Sequence, residues 1–381
     1  MSYQFILKNV KIVGDNTFGT KFKITSFGES HGSLIGVIVD GAPAGIDLDL
    51  KSIQSELNKR RPNQSQLSTS RKEPDNAKIL SGIFNGKTTG APICLVIENK
   101  DVDSSEYEKF KNYLRPSQID YTSIKKYGGF ADYRGSGRFS GRITAGFVMA
   151  GAIAKLILRK FNVNVFAYTK SIGNIVDEES YDVTDYESFD KTKESSVVRA
   201  LNKEKSKLME NLIIKVKEEN DSVGGTIKCI VNNYPSGIGG PVFNSIESNI
   251  SKAIFSIPAV KGIEFGAGFK ASTMKGSEHN DPWIVENENI KTTKNDSGGI
   301  IGGISTGMPI EFTVAIKPTA TIGLSQKTVN VETMENVEVQ FTGRHDPCIV
   351  PRAVVVVEAM TSVVLLDFLL IEGKIPSVIS D

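Results

Sequence analysis

GIFNGKTTGAPICLVIENK, residues 82–100, aligns without gaps to GIIGGISTGMPIEFTVAIK, residues 299–317, in the shared frame G-I-x-x-G-x-x-T-G-x-P-I. Upstream of each copy an apolar, β-branched run ends in P-x-G-I: VIVDGAPAGI stops at Ile46 and CIVNNYPSGI at Ile238. Each run leads into a helix candidate. In the first half this is DLDLKSIQSELNKRR, with Asp47 or Asp49 as cap, Leu50, Ile53 and Leu57 on one face, and Pro62 as terminator. In the second half it is NSIESNISKAIFSI, beginning near Asn244. The pattern predicts two copies of one strand-helix-hairpin unit, residues 20–100 and 222–317, related by a pseudo-two-fold axis within a single α+β domain covering 1–381. So long a period excludes a stacked solenoid, whose repeats run about 20 to 50 residues.

Between the copies, TAGFVMAGAIAKLILRKF from Thr144 reads as a buried helix. The polar stretch at 176–200 reads as an exposed insertion or lid. Leu201 to Asn220 then suits an amphipathic helix with Leu208, Leu212 and Val216 on its apolar stripe. The most apolar tract, Ala353 to Leu370, is interrupted by Glu358 and Asp367 and reads as a core helix rather than a membrane span.

The charge balance excludes whole classes of partner. Forty-five Lys plus Arg against forty-four Asp plus Glu leave a net charge of +1, so no overall field draws the chain to nucleic acid or an anionic membrane. Cys94, Cys229 and Cys348 are widely spaced, and MSYQFILKNVKIVG lacks signal-peptide features, so a reducing cytoplasm is the expected location. The uneven use of arginine is more informative. With 34 Lys and 11 Arg, most arginines fall in three groups: 60, 61 and 71; 115, 134, 138 and 142; 344 and 352. Lysine cannot copy the bidentate guanidinium grip, so the grouping points to an anionic small molecule.

Four stretches carry candidate chemistry. FGESHG at 27–32 fits the G-x-S-x-G frame of a serine-hydrolase elbow, which needs a helix after the serine. SLIGVIVDGAPAG follows instead and argues strand, leaving His31 as the residue to explain. YRGSGRFSGRITAG at 133–146 sets three arginines among four glycines before an apolar helix, an arrangement suited to phosphate. It is neither a Walker loop nor a dinucleotide fingerprint. KPTAT from Lys317 offers a lysine and two hydroxyls for another phosphate or a polar ring edge. GRHDPC at 343–348 sets Arg344, His345 and Asp346 on a turn, where the aspartate caps a helix or takes up a proton. Three dispersed histidines and no C-x-x-C give no metal-ligand spacing.

FGESHG, the segment from RRP at 60–62 to RKEP at 71–74, SGRIT, GGISTGMPI, KPTAT and GRHDPC, in this order, resemble the chorismate synthase family along nearly the whole chain. The resemblance implies a β-α-β sandwich assembled as a homotetramer. It also implies a lyase of the shikimate pathway that converts 5-enolpyruvylshikimate 3-phosphate to chorismate and phosphate by 1,4-anti elimination. That reaction needs reduced FMN without net redox change. Carried over by matching position, His31 acts as the acid toward the departing phosphate. Asp346 accepts the substrate's proton, directly or through the flavin. Arg138, Phe139, Ser140, Ala259, Gly302, Lys317, Thr319, Thr321 and Arg344 match FMN-binding stretches. Arg60, with Arg61, Arg134 and Arg142, matches places that hold phosphorylated substrate or NADPH. Without a reductase domain or dinucleotide fingerprint, the chain is expected to depend on an external flavin reductase.

Three positions depart from the family. Its RPGHAD segment reads Arg115-Pro116-Ser117-Gln118-Ile119-Asp120 here, so Gln118 stands in place of the second catalytic histidine. Gln66 replaces an arginine and Phe139 a serine. An alternative reading follows from Gln118: a flavin or phosphometabolite binder with impaired or absent catalysis.

Overall fold

In the computed structural model, which describes residues 14–62, 67, 73–100, 104–181, 185–343 and 346–380, the two quoted stretches make the same hydrogen bonds. The Thr88 hydroxyl donates to Pro43 O (2.6 Å) and accepts from Ile46 N (3.0 Å). The Ser305 hydroxyl donates to Pro235 O (2.6 Å) and accepts from Ile238 N (3.0 Å). Thr89 N donates to Gly82 O (3.0 Å) and Thr306 N to Gly299 O (2.9 Å). Gly82 and Gly299 sit at φ 83° and 79°, a left-handed conformation that a side chain would strain, which explains the glycine opening each frame.

Two antiparallel sheets result. The first contains β1 (Thr17–Phe18), β2 (Lys23–Gly28), β3 (Leu34–Asp40), β4 (Ala77–Ile79) and β5 (Ile93–Glu98), in the order β1-β2-β3-β5-β4. The second contains β6 (Asn164–Ile172), β7 (Ile175–Val176), β8 (Gly225–Asn232), β9 (Val260–Phe265) and β10 (Ile310–Ile316), in the order β9-β10-β8-β6-β7. Along β10 the burial alternates, with Ile310, Phe312, Val314 and Ile316 inward. One face of that strand therefore meets the core.

The longer helices are α1 (Leu50–Arg60), α2 (Thr144–Lys160), α3 (Tyr186–Ser195), α4 (Lys203–Glu218), α5 (Ile246–Phe255) and α6 (Val350–Ile371). Asp49 caps α1 by accepting from Ser52 N (2.8 Å), and Ser245 caps α5 by accepting from Ser248 N (3.0 Å). Helix α2 packs on α6, α1 and β3, while α6 packs on α2, α5 and β6. The α2 and α6 backbones nearly touch: a Cβ added at Gly151 would lie 2.4 Å from Ala359 Cα. Both helices are long and apolar enough to cross a membrane, yet most of each is buried inside the protein.

Charge also ties the interior together. Glu358, buried midway along α6, accepts from Lys155 Nζ of α2 (2.6 Å), Lys193 Nζ of α3 (2.8 Å) and Ala167 N of β6 (2.9 Å). Lys155 also meets Glu56 of α1 at 2.6 Å. So buried a carboxylate is tolerated because every charge in the group has an opposite partner.

Two expectations need correction in detail. The stretch 176–200, read as an exposed insertion or lid, sends Lys193 into the core and packs Tyr181, Tyr186 and Phe189 on buried Phe166 and Tyr168. The stripe read for α4 is rotated: Met209 and Ile213 are buried, whereas Leu208 is exposed. Both stripes satisfy helical spacing, and packing selects between them.

Candidate active site

A cavity of about 660 Å³ opens where the end of α1, the arginine-glycine loop, the KPTAT stretch after β10 and the start of α6 converge. A second cavity of about 790 Å³ adjoins it. Tyr107, Arg115, Ile119, Ser136, Phe139 and Thr321 line both. His31 faces the second, while Asp346, Lys317 and Gln118 face the first.

The arginine-glycine loop joins the two. Gly135, Ser136 and Gly137 run left-handed at φ 56°, 66° and 49°. A Cβ at Gly135 would stand 2.2 Å from the His31 ring, so glycine is required there both for its conformation and for the contact. Ser30 N donates to Gly137 O (3.1 Å), and Arg115 Nη2 donates to Ser136 Oγ (3.1 Å). The first bond fixes the loop against FGESHG and the second against the segment that begins at Arg115. Ser30 itself is fully buried in the turn. The β2–β3 hairpin surrounding it has strand, not helix, after the serine, so a nucleophile elbow is not formed.

Arginines supply most of the polar wall. Arg60, at the end of α1, donates to Asp75 Oδ2 (3.0 Å), Thr144 Oγ1 (3.0 Å) and Gly141 O (2.9 Å). Burial pulls its guanidinium down to about 9, although Asp75 opposes that. Arg142 donates to Asn99 Oδ1 (3.0 Å) and to Asp75. Burial pushes the Asp75 carboxyl up, but the two guanidiniums outweigh it and hold it below the usual carboxylate range. Arg138 spends its fork on Ser26 O (2.8 Å), Gly28 O (3.2 Å) and Asn16 Oδ1 (3.1 Å), and burial lowers its pKa. It therefore pins the loop to β2 while lining the cavity.

The opposite wall comes from the second half. Lys317 Nζ donates to Ser117 O (3.0 Å), and burial followed by Lys261 lowers its pKa. Gln118 Nε2 donates to Thr321 Oγ1 (3.1 Å). The Thr319 hydroxyl is buried in this wall without a hydrogen-bond partner among the described residues. Ala259, at φ 74°, Ser140 and Phe139 complete the predicted residues gathered here. Asp346 pairs with Arg352, whose Nε donates to Arg60 O (3.0 Å). The cap position of α6 is Ile349, so Asp346 is not its N-cap.

Other predicted residues lie elsewhere. Arg134 is paired with Asp132 at 2.9 Å and lines neither cavity. Arg61 is exposed beyond α1, and Gly302 sits at the tip of the second hairpin, outside both cavities. Arg344, His345 and Gln66 lie outside the described residues. Sequence reasoning gave no site role to Asp75 or Tyr107, and counted Arg115 and Arg352 only within the arginine groups that point to an anion. Tyr107 sets its ring edge-on to His31, with centroids 5.0 Å apart. An acid between two arginine groups was the available signal for Asp75; Tyr107 had none.

A family model for chorismate synthase matches residues 22–370. A chorismate synthase of Dehalococcoides mccartyi is 52% identical over 364 residues, covering 96% of this chain and 99% of that protein. One from Korarchaeum cryptofilum is 48% identical over 358 residues, covering 94% and 98%. A crystal structure of chorismate synthase superposes with a TM-score of 0.74 at 30% identity, covering 93% of each chain. The chain belongs to the chorismate synthase family of lyases.

Proposed function

We propose that the chain converts 5-enolpyruvylshikimate 3-phosphate to chorismate and inorganic phosphate by 1,4-anti elimination, with reduced FMN required. The observation that carries this reading is the adjoining pair of cavities, with His31 in one and Asp346, Lys317 and five arginines in the other. A multiply anionic substrate matches that wall, since charge-assisted forks grip phosphate and carboxylate strongly. In the elimination a carbon–hydrogen bond and the carbon–oxygen bond to phosphate both break. His31 donates a proton to the departing phosphate, and Asp346 takes up the proton leaving carbon.

The residues present fit FMN. Thr319 offers an unsatisfied buried hydroxyl beside Lys317, a pairing suited to a phosphate oxygen. Arg138, Ser140, Ala259 and Thr321 extend the same wall. Reduced FMN, when bound, supplies electron-rich character and is unchanged over the cycle. Gln118 donates hydrogen bonds at this wall without titrating near neutral pH. NADPH acts through an external flavin reductase.

The two hairpin units form one pseudo-two-fold β-α-β sandwich, a reading supported by their repeated hydrogen bonds. The active form is a cytoplasmic homotetramer, which light scattering tests: a monomeric mass removes it. Anaerobic mixing with substrate and reduced FMN tests the activity. Chorismate and phosphate are expected; absence of both, beside a working control enzyme, overturns it. Ligand binding without turnover would favour a non-catalytic binder.

A further inference from the structure

Asp75 is fully buried and sits at φ 49°, an unusual backbone conformation for a residue with a side chain. Its main-chain oxygen accepts from Gln54 Nε2 (3.0 Å), which ties it to α1. One carboxylate oxygen accepts from Arg60 Nη1 (3.0 Å) and the other from Arg142 Nη1. Two buried guanidiniums would repel one another without that shared anion. The remaining donors are unequal. Both other nitrogens of Arg60 are occupied by Thr144 and Gly141. Arg142 is only 5% exposed, yet among the described residues its Nη2 makes no hydrogen bond, its one ion-pair contact there being a Glu73 oxygen 3.6 Å away. A buried donor left so costs free energy until something accepts from it. Both arginines line the cavity.

We propose that Asp75 is a positioning residue: it yokes Arg60 and Arg142 into one rigid oxyanion-binding wall and leaves Arg142 Nη2 for an oxygen of the phosphorylated substrate. This rests on the substrate assigned above. Asp75 itself touches no ligand. Its removal should weaken binding of substrate more than it slows chemistry.

Asp75→Asn and Asp75→Glu test it, the second keeping the charge but displacing it by one methylene. Expected in each folded variant is a rise in substrate KM of about tenfold to a hundredfold with kcat within about threefold, the worth of a charged hydrogen bond. The Kd for FMN should stay within about twofold, which separates substrate from flavin phosphate. Inorganic phosphate should raise Tm in the unaltered protein and no longer do so in the variants. That arm reads the wall even where turnover is absent, so a wrong substrate and a wrong wall give different results. A merely structural aspartate would lower Tm without ligand but leave KM and the phosphate response intact. That outcome, or a folded Asp75→Glu variant with unaltered KM, or an effect confined to FMN, overturns the proposal.

Discussion

The two hairpin copies agree at their turns and part company at their ends. Thr88 and Ser305 hold their P-x-G-I turns with matching bonds. Beyond β5, Asn99 accepts from Arg142 and donates to Glu29 O and Gly32 O, whereas β10 runs on into Lys317 and the KPTAT wall. Counted from their caps, Arg60 in α1 corresponds to Ser256 after α5, and both line the cavity. The repeated part is scaffold. Divergence at equivalent exits supplies a cationic wall from one copy and a lysine-hydroxyl wall from the other.

The sharpest division lies between scaffold and chemistry, and Asp346→Asn probes it, since Asp346 belongs to neither copy. Turnover should fall by about 10² to 10⁴, the usual worth of one general base, with Tm nearly unchanged. Residual activity near that of the unaltered protein would place the proton acceptor elsewhere. Arg138→Lys comes next. Its fork holds β2 as well as lining the cavity, so we expect both lower stability and an FMN affinity weakened about tenfold to a hundredfold, as for losing a charged hydrogen bond worth about 1.5 to 3 kcal/mol. Affinity unchanged by titration calorimetry would confine Arg138 to the scaffold.

The scaffold claim has its own test. Thr88→Val and Ser305→Ala each leave a buried backbone N–H without its acceptor, so each should cost about 1 to 3 kcal/mol in urea unfolding. Equivalence demands similar costs; values far apart would break it. A pH series exposes an asymmetry between the helices. Burial raises the pKa of Glu56 in α1, but Lys155 and then Lys59 draw it down to about 2. Its contribution is therefore complete above its ordinary value of 4.5 and is lost as pH falls toward 2. Glu56→Gln should flatten the fall in Tm across that window, and an unaltered slope would exclude the pair as its source. The smallest effect is expected from Gln118→His: a modest rise in turnover and a new titration near neutral pH. A pH profile identical to the unaltered protein's would remove Gln118 from the reacting centre.

The scaffold was legible because its rules are local. A glycine at φ 83°, a hydroxyl bridging one turn and an aspartate cap leave marks within a few residues. Walls of the site were legible as residue types, since arginine clusters and KPTAT announce anions. Partnerships were not. Asp75 meets Arg142 across 67 residues, and Lys193 meets Glu358 across 165. Lys193 fell within a stretch read as exposed, since its near neighbours Asp190 and Glu194 suit a solvated face; only the folded chain adds the buried Glu358. Tyr107 beside His31 likewise depends on how residues 104–113 fold back over FGESHG.

Helix α6 has a consequence for the order of assembly during synthesis. It fills the centre of the interior, against α2, α5 and β6, yet it leaves the ribosome after every strand of both sheets. Until it emerges, the side of α2 that α6 covers stays open, and Lys155 and Lys193 lack the buried Glu358 they share, keeping only Glu56 and Asp190. Vectorial folding therefore cannot finish piecemeal here. A ribosome stalled before residue 350 would hold a chain with an open, largely apolar groove, a ready substrate for chaperones and proteases.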